Sequence, residues 1–280
     1  MTRSDDFTVR FWGVRGSIAT PGAQTMNYGG NTPCVEVRCG RRIFILDSGT
    51  GVRPLGGLLA GEMPFEADFL LSHTHYDHVI GLPFFAPAFV PGNRLRVWAG
   101  HLGAQGKIQQ VLGNFMSAPF FPIPTEVFLA EMSYKDFAGG DVLDPGDGVT
   151  IRTAPLNHPN GATGYRIEFG GHCVAYVTDT EHTKNGLDKN VLGLIGGADL
   201  VIYDSTYTDE EYPRFAGWGH STWQEGVRLC DQAKAGTLAL FHHDPSHDDD
   251  FMDRVASDAG RLRPGTIVAR EGLVLRPGQR

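Results

Sequence analysis

Cysteine is scarce in this 280-residue chain: Cys34, Cys39, Cys173 and Cys230, with no CxxC pair among them. That spacing argues against a four-cysteine zinc site and fits reduced thiols in a cytosolic protein. Long apolar runs are missing as well. No stretch approaches the ~18 apolar residues of a membrane-spanning helix, and "MTRSDDFTVRFWG" offers no apolar leader. The expectation is a cytoplasmic protein with no membrane partner. Positive charge is in deficit, 24 Lys and Arg against 32 Asp and Glu, for a net charge of −8. Such a balance argues against a general grip on phosphate backbones, which calls for basic patches. It leaves room for a small anionic substrate held by bound cations, which bring their own positive charge. Low-complexity runs and Pro/Gly/Ser linkers are absent too, which predicts a single domain over residues 1–280.

What is present is a core-forming fraction of 41% apolar residues, arranged in two strand-rich stretches. "FTVRFWG", "CVEVRCG" and "RRIFILD" read as the first strands, with a hairpin turn at Gly40. "ADFLL" (Ala67–Leu71) follows as a short buried strand. Residues 84–140 form an irregular, aromatic-rich insertion containing "RLRVWAG" and a helix near Lys107–Met116. Its phenylalanines predict core cover, a lid or a homodimer contact. A second set of strands, "GVTIRTAPL", "TGYRIEFGG", "HCVAYVTD", "ADLVIYDST" and "TLALFHH", surrounds a helix over about Thr222–Lys234. The tail "GTIVAREGLVLRPG" reads as a closing hairpin. Two packed sheets with helices outside predict an α/β, four-layer αβ/βα sandwich.

The chemistry concentrates in "FLLSHTHYDHVIGL" (Phe69–Leu82), where His73, His75, Asp77 and His78 crowd one loop after a strand. Buried together without partners, imidazoles and a carboxylate would be costly, and a metal supplies the partner. Further donors are expected at other strand ends. His158 follows "GVTIRTAPLN", Asp179 ends "CVAYVTD" and His242 ends "TLALFH". Of the remaining histidines, His101, His172 and His247 read as solvated. His243 points away from its neighbour if the strand continues. His182, in "TDTEH", could face substrate.

With these residues the chain resembles the metallo-β-lactamase superfamily. "HTHYDH" matches the HxHxDH motif, His158, Asp179 and His242 follow in the expected order, and the resemblance runs from "FWGVRGSI" to the last strand. It implies the metallo-β-lactamase fold and two divalent metal ions, zinc by preference with manganese or iron as alternatives. One ion would take His73, His75 and His158, the other Asp77, His78 and His242, with Asp179 bridging. Asp47, in "FILDSGTG", matches an aspartate that braces the histidine loop through hydrogen bonds.

"GWGHSTWQEG" narrows the resemblance to the ribonuclease Z and small-molecule phosphodiesterase branch, through His220-Ser221-Thr222. There the histidine touches phosphate and assists the leaving oxygen. The implied activity is hydrolysis of a small or cyclic phosphodiester by a hydroxide bridging the two metals, with Asp77 steering the nucleophile's proton and His220 as the acid. Ser221 and Thr222 are candidate substrate contacts. So are Arg15 and Asn31 in the Gly-rich loop "RGSIATPGAQTMNYGGNT", as phosphate or base contacts. Only "PNGATGYRIEFGGHCVAYVT" separates His158 from Asp179, leaving no room for the basic RNA-binding arm of ribonuclease Z. With the net charge, this predicts that transfer RNA and other nucleic acid polymers are not substrates. A lactonase, or another ester or thioester hydrolase, keeps the same ligands and is the alternative. An iron-dependent oxidoreductase is the more distant one.

Overall fold

A computed structural model describes residues 6–278. Residues 1–5, which begin the stretch inspected for a leader, lie outside the described residues, as do 279–280. Among the described residues, no helix is long and apolar enough to cross a membrane.

Strand β1 (Phe7–Gly13) alternates buried and half-buried residues, as a strand with one face on the core must. It pairs antiparallel with β2 (Cys34–Cys39), which turns through Gly40 into β3 (Arg42–Leu46). From there the pairing becomes parallel, through β4 (Glu66–Leu71), β5 (Arg94–Ala99) and β6 (Glu131–Asp136). The second sheet repeats this plan. β7 (Val142–Gly146), β8 (Val149–Leu156), β9 (Ala162–Phe169) and β10 (His172–Val177) run antiparallel, and β11 (Leu200–Asp204), β12 (Thr237–Phe241) and β13 (Ile267–Val268) continue in parallel. All five residues of β3 and of β11 are buried, the pattern of strands covered on both faces.

Three apolar clusters define four layers. Phe11, Phe44 and Leu70 of the first sheet meet Tyr176, Ile202 and Phe241 of the second between the sheets. Helices α1 (Val52–Leu59) and α3 (Ile108–Phe115) cover the outside of the first sheet. Helices α4 (Lys189–Ile195), α5 (Trp223–Gln232) and α6 (Asp249–Leu262) cover the second. The short α2 (Tyr76–Val79) opens within the histidine loop. The chain is therefore of the α/β class, with two mixed sheets flanked by helices.

Two expectations change. The tail is not a hairpin: β13 joins β12 in the second sheet, whereas β14 (Val274–Leu275) pairs antiparallel with β1 in the first. Its Gly-containing turn spans the gap between sheets instead of folding back on itself. The aromatic segment is partly framework as well, since it supplies β5, α3 and β6 and buries Phe85 and Phe128 under the first sheet. Phe84 and Phe120 stay exposed.

Register also places a buried charge between the sheets. Asp68 on β4 lies opposite Arg96, and its carboxylate accepts from Arg42 at 2.5 Å, from Arg96 at 2.6 and 2.9 Å, and from the Trp98 indole at 2.9 Å. Removing one member of a buried pair leaves the other charge uncompensated. Asp68→Ala is expected to cost about 3 kcal/mol or more of unfolding free energy in urea titration, against little effect for a surface aspartate such as Asp258→Ala. Equal midpoints for the two variants would contradict the assignment.

Candidate metal centre

The histidine loop leaves the end of β4, and the other site residues lie at or just after the ends of β3, β8, β10, β11 and β12. The first anchor is Asp47, fully buried after β3. It accepts from Ser72 N (2.7 Å) and Ser72 Oγ (2.8 Å), from His78 Nδ1 (2.8 Å), and from the Tyr176 hydroxyl reaching across from the second sheet (2.8 Å). The Ser72 hydroxyl also lies 3.0 Å from His73 Nδ1. Both rings are thereby held by Nδ1, which leaves Nε2 of each directed inward. His73 Nε2 and His78 Nε2 are buried and make no hydrogen bond.

Those orphaned nitrogens belong to two groups. His73, His75 and His158 form one and Asp77, His78 and His242 the other, with ligand atoms in each within 4.8 Å of one another. His158 donates through Nδ1 to Gly219 O at 2.8 Å and turns Nε2 to within 3.1 Å of His75 Nδ1. Asp179 stands between the groups. Its Oδ1 is 3.8 Å from His73 Nε2 and 3.7 Å from His158 Nε2, while Oδ2 is 3.2 Å from His78 Nε2 and 3.3 Å from His242 Nε2. Asp77 Oδ2 is fixed by the Ser17 backbone N–H at 2.8 Å and lies 3.2 Å from His78 Nε2.

The electrostatics fit cation binding. Burial drives His73 well below the ordinary imidazole range and lowers His75 and His158, so their nitrogens are neutral donors. Burial opposes charge on His78 too, but Asp77, Asp179 and Asp47 outweigh it and raise its pKa. In return, against the desolvation that would raise them, His78 and His242 hold Asp77 and Asp179 low. A proton on His78 thus compensates a set of carboxylates that a metal ion would otherwise compensate. Imidazoles and carboxylates in trios, with the inward nitrogens of His73 and His78 lacking hydrogen-bond partners, suit zinc or a similar divalent ion.

His220 lies beside this cluster, 9% exposed, with Nδ1 donating to Asp204 Oδ2 at 3.1 Å and 3.7 Å from Asp179 Oδ1. Burial disfavours its charge, but Asp204 more than compensates and raises its pKa to about 9. Asp204 is the residue that the sequence reading missed. It ends β11 as Asp179 follows β10 and His242 follows β12, so its place after the apolar run "LVIY" was the available signal. Thr206 completes the bracket, donating to Asp204 Oδ1 at 2.8 Å and lying 3.0 Å from His242 Nδ1. A cavity of about 450 Å³, lined by Ser17, Thr74, His75, Tyr76, Asp77, Asp179 and His220, opens onto the cluster. A larger one, about 990 Å³, lies at the opposite ends of β11 and β12, against Asp199 and Arg263.

Several expected substrate contacts are occupied elsewhere. Arg15 is fully buried and its guanidinium donates to the carbonyls of Gly29, Asp244 and His247, making it a staple between loops. Asn31 donates its backbone and side-chain N–H to Glu271. Ser221 is spent on the Tyr203 hydroxyl at 2.8 Å. Thr222 caps α5 by accepting from Glu225 N and donates to Asp209. His182 stacks on Tyr212 at 4.1 Å, with Nε2 3.5 Å from Thr222 Oγ1, outside the cavity lining. In each case the polar group meets a nearby backbone or side-chain partner, which a one-dimensional reading cannot see. His101 and His247 are not solvated either. His101 Nε2 lies 3.1 Å from Thr74 Oγ1, and His247 is buried against Glu211.

Comparison with known proteins agrees with this architecture. Residues 64–243 match the model of the beta-lactamase superfamily domain. Ribonuclease Z of Mycobacterium marinum (strain ATCC BAA-535 / M) is 26% identical over 264 residues, covering 85% of this chain and 91% of that protein. Among solved structures, the metallo-beta-lactamase fold protein YhfI from Bacillus subtilis superposes with a TM-score of 0.72 at 21% identity, over 97% of this chain and all of YhfI. A diphosphatase from the PhnP family gives 0.70 at 18% identity, over 96% of this chain and 97% of its own. The similarity to a ribonuclease Z over most of both chains overturns the expectation that transfer RNA and other nucleic acid polymers are excluded. Net charge averages over a whole surface, whereas a polymer meets only the field near the site. The fold, the cluster at its strand ends and the matched domain together identify the chain as a member of the beta-lactamase superfamily.

Proposed function

We propose that this hydrolase-family chain is a metal-dependent phosphodiesterase that binds two divalent ions, zinc by preference, between His73, His75, His158 and Asp77, His78, His242, with Asp179 shared. The observation that carries the reading is the Asp204–His220 pair beside Asp179. A buried, carboxylate-backed imidazolium next to the cation cluster is suited to a departing alkoxide, and its place in His220-Ser221-Thr222, the element that resembles the phosphodiesterase branch, favours a phosphodiester over an ester or lactone. When bound, the ions would supply positive charge for phosphate oxygens and a lowered pKa for water.

The chain's own groups do the rest. Ser17 N–H orients the Asp77 carboxylate, which lines the cavity and can accept a hydrogen bond from the attacking water to aim it. On the other side, Asp204 fixes the Nδ1–H of His220, so that Nε2 is the atom left to donate to the leaving oxygen. Thr74 and Tyr76 line the mouth, where the rest of the substrate must lie. A small or cyclic phosphodiester suits a cavity of about 450 Å³. The ribonuclease Z relative makes RNA a substrate to assay beside it.

Two measurements test this. Chelator-stripped protein titrated with zinc is expected to take up two ions per chain, release protons and gain thermal stability by mass action. Asp179→Ala should abolish that stoichiometry, and uptake of a single ion by wild type would refute the paired site. Secondly, His220→Ala should lower kcat on cyclic AMP by about 10²–10⁴-fold. With His220 raised to about 9, its acid form is present at neutral pH and is lost as pH climbs through that value. Asp204→Asn should therefore move the alkaline limb of the kcat profile to lower pH. Ring opening of lactones, with no phosphodiester cleavage, would transfer the assignment to the ester-hydrolase alternative.

A further inference from the structure

Glu181 lies two residues after Asp179, outside every cluster described above. Its carboxylate is nevertheless fully engaged. Oε1 accepts from the backbone N–H of Gly217 at 2.6 Å and from the Tyr212 hydroxyl at 3.1 Å, and Oε2 accepts from Gly219 N at 2.9 Å. Its backbone is tied as well: Glu181 N donates to Asn157 O at 2.8 Å, and the Asn157 amide returns to the carbonyls of Glu181 and His182 at 3.1 and 3.2 Å. Asn157 adjoins His158, and Gly219 adjoins His220. A single residue thereby joins the three loops that carry Asp179, His158 and His220.

The geometry of the gripped loop explains why it needs a grip. Gly217 and Gly219 sit at φ 95° and 88°, backbone conformations that side chains disfavour and glycine adopts freely. Turned this way, both N–H groups converge on one acceptor. Packing is tight on the far side: a Cβ at Gly219 would fall 2.4 Å from His158 Nδ1, and the Gly219 carbonyl accepts from that nitrogen at 2.8 Å. Release of Gly219 would free the backbone that enters His220.

We propose that Glu181 is a positioning residue that holds Gly217–Gly219 by their N–H groups, and through them fixes His220 against the leaving group. The catalytic part of this proposal rests on the phosphodiesterase reading; the clamp itself rests on the hydrogen bonds alone. Gln at 181 keeps one acceptor oxygen but presents an N–H₂ to the second glycine N–H, so it should loosen the loop partially, and Ala should release it.

The test compares Glu181→Gln, Glu181→Ala, His220→Ala and the Glu181→Ala/His220→Ala double variant with wild type. Hydrogen exchange of the Gly217 and Gly219 amides in metal-free protein should speed up by about tenfold or more in Glu181→Ala, the worth of a lost charge-assisted hydrogen bond. Two phosphodiesters then separate roles: bis-p-nitrophenyl phosphate, whose phenolate departs unaided, and cyclic AMP, whose alkoxide needs a proton. Glu181→Ala should lose on the order of 100-fold on cyclic AMP, with a much smaller loss on the aryl diester, and Glu181→Gln should fall between Ala and wild type. The double variant should be no worse than His220→Ala, because one effect acts through the other. Unchanged amide exchange in Glu181→Ala overturns the clamp whatever the activities do. Equal losses on both substrates, or additive losses in the double variant, overturn its action through His220. If His220→Ala itself shows no preference between the substrates, the assignment of His220 as the acid falls. If wild type cleaves neither phosphodiester, the phosphodiesterase reading falls, and in both cases the exchange measurement alone decides the clamp.

Discussion

The site depends on one carboxylate that has no access to water. Asp47 would be costly to bury alone, yet four donors satisfy it, three from the histidine-loop residues Ser72 and His78 and one from Tyr176 on the other sheet. Its consequences run outward. By claiming Nδ1 of His78 directly and that of His73 through Ser72, Asp47 decides which imidazole nitrogen faces inward. By bonding Tyr176 it also locks the two sheets together at the end where ligands from both must meet. Sheet packing and ligand orientation are thus one constraint.

That constraint is accompanied by strain at the strand ends. Asp47, Asp179 and His242 adopt φ of 59°, 55° and 62°, each one or two residues past its strand. Aspartate tolerates the left-handed region, but histidine has less excuse, and such positions cost about 1–3 kcal/mol unless surroundings enforce them. The enforcement is visible around His242. Thr206 Oγ1 packs 3.0 Å from its Nδ1 and 2.9 Å from its carbonyl, and Gly16 packs so closely that a Cβ there would fall 2.5 Å from the ring. The reversal of backbone hand is what swings these side chains over the sheet ends, where a continued strand would have sent them alternately into core and solvent.

Much of the frame was legible because burial writes itself into sequence. "FTVRFWG" and "RRIFILD" carry the alternating and continuous apolar patterns of their strands, and "HTHYDH" is too polar a cluster to be anything but a site. Asp204 escaped because, alone after a strand, it looks like any aspartate before a turn; only three-dimensional contact with His220 distinguishes it. Arg15 was misread for the opposite reason. A cationic residue in a Gly-rich loop looks free, and the carbonyls that bury it come from Gly29 and from Asp244 and His247, far away along the chain. The tail misled because a turn signal specifies a reversal and not which sheet receives each arm. Local chemistry is readable; partners distant in sequence are not.

Charge shows the same limit. Two carboxylates, Asp77 and Asp179, face the cavity of a chain whose total is already −8, so the bare site would repel any phosphate. The raised affinities of His78 and His220 for protons are the protein's own answer to that excess. Cation binding at the trios and attraction of an anionic substrate would therefore be linked: bound cations would take over the charge compensation that a proton on His78 provides and would reverse the local field, and neither change would register in the chain-wide charge. A phosphate in a small cyclic diester and one within RNA would meet the same reversed field. Discrimination would then fall to the groups that line the cavity mouth beside the cluster, Thr74 and the exposed Tyr76. The Tyr76 ring would contact whatever surrounds the phosphate, and its shape is indifferent to net charge.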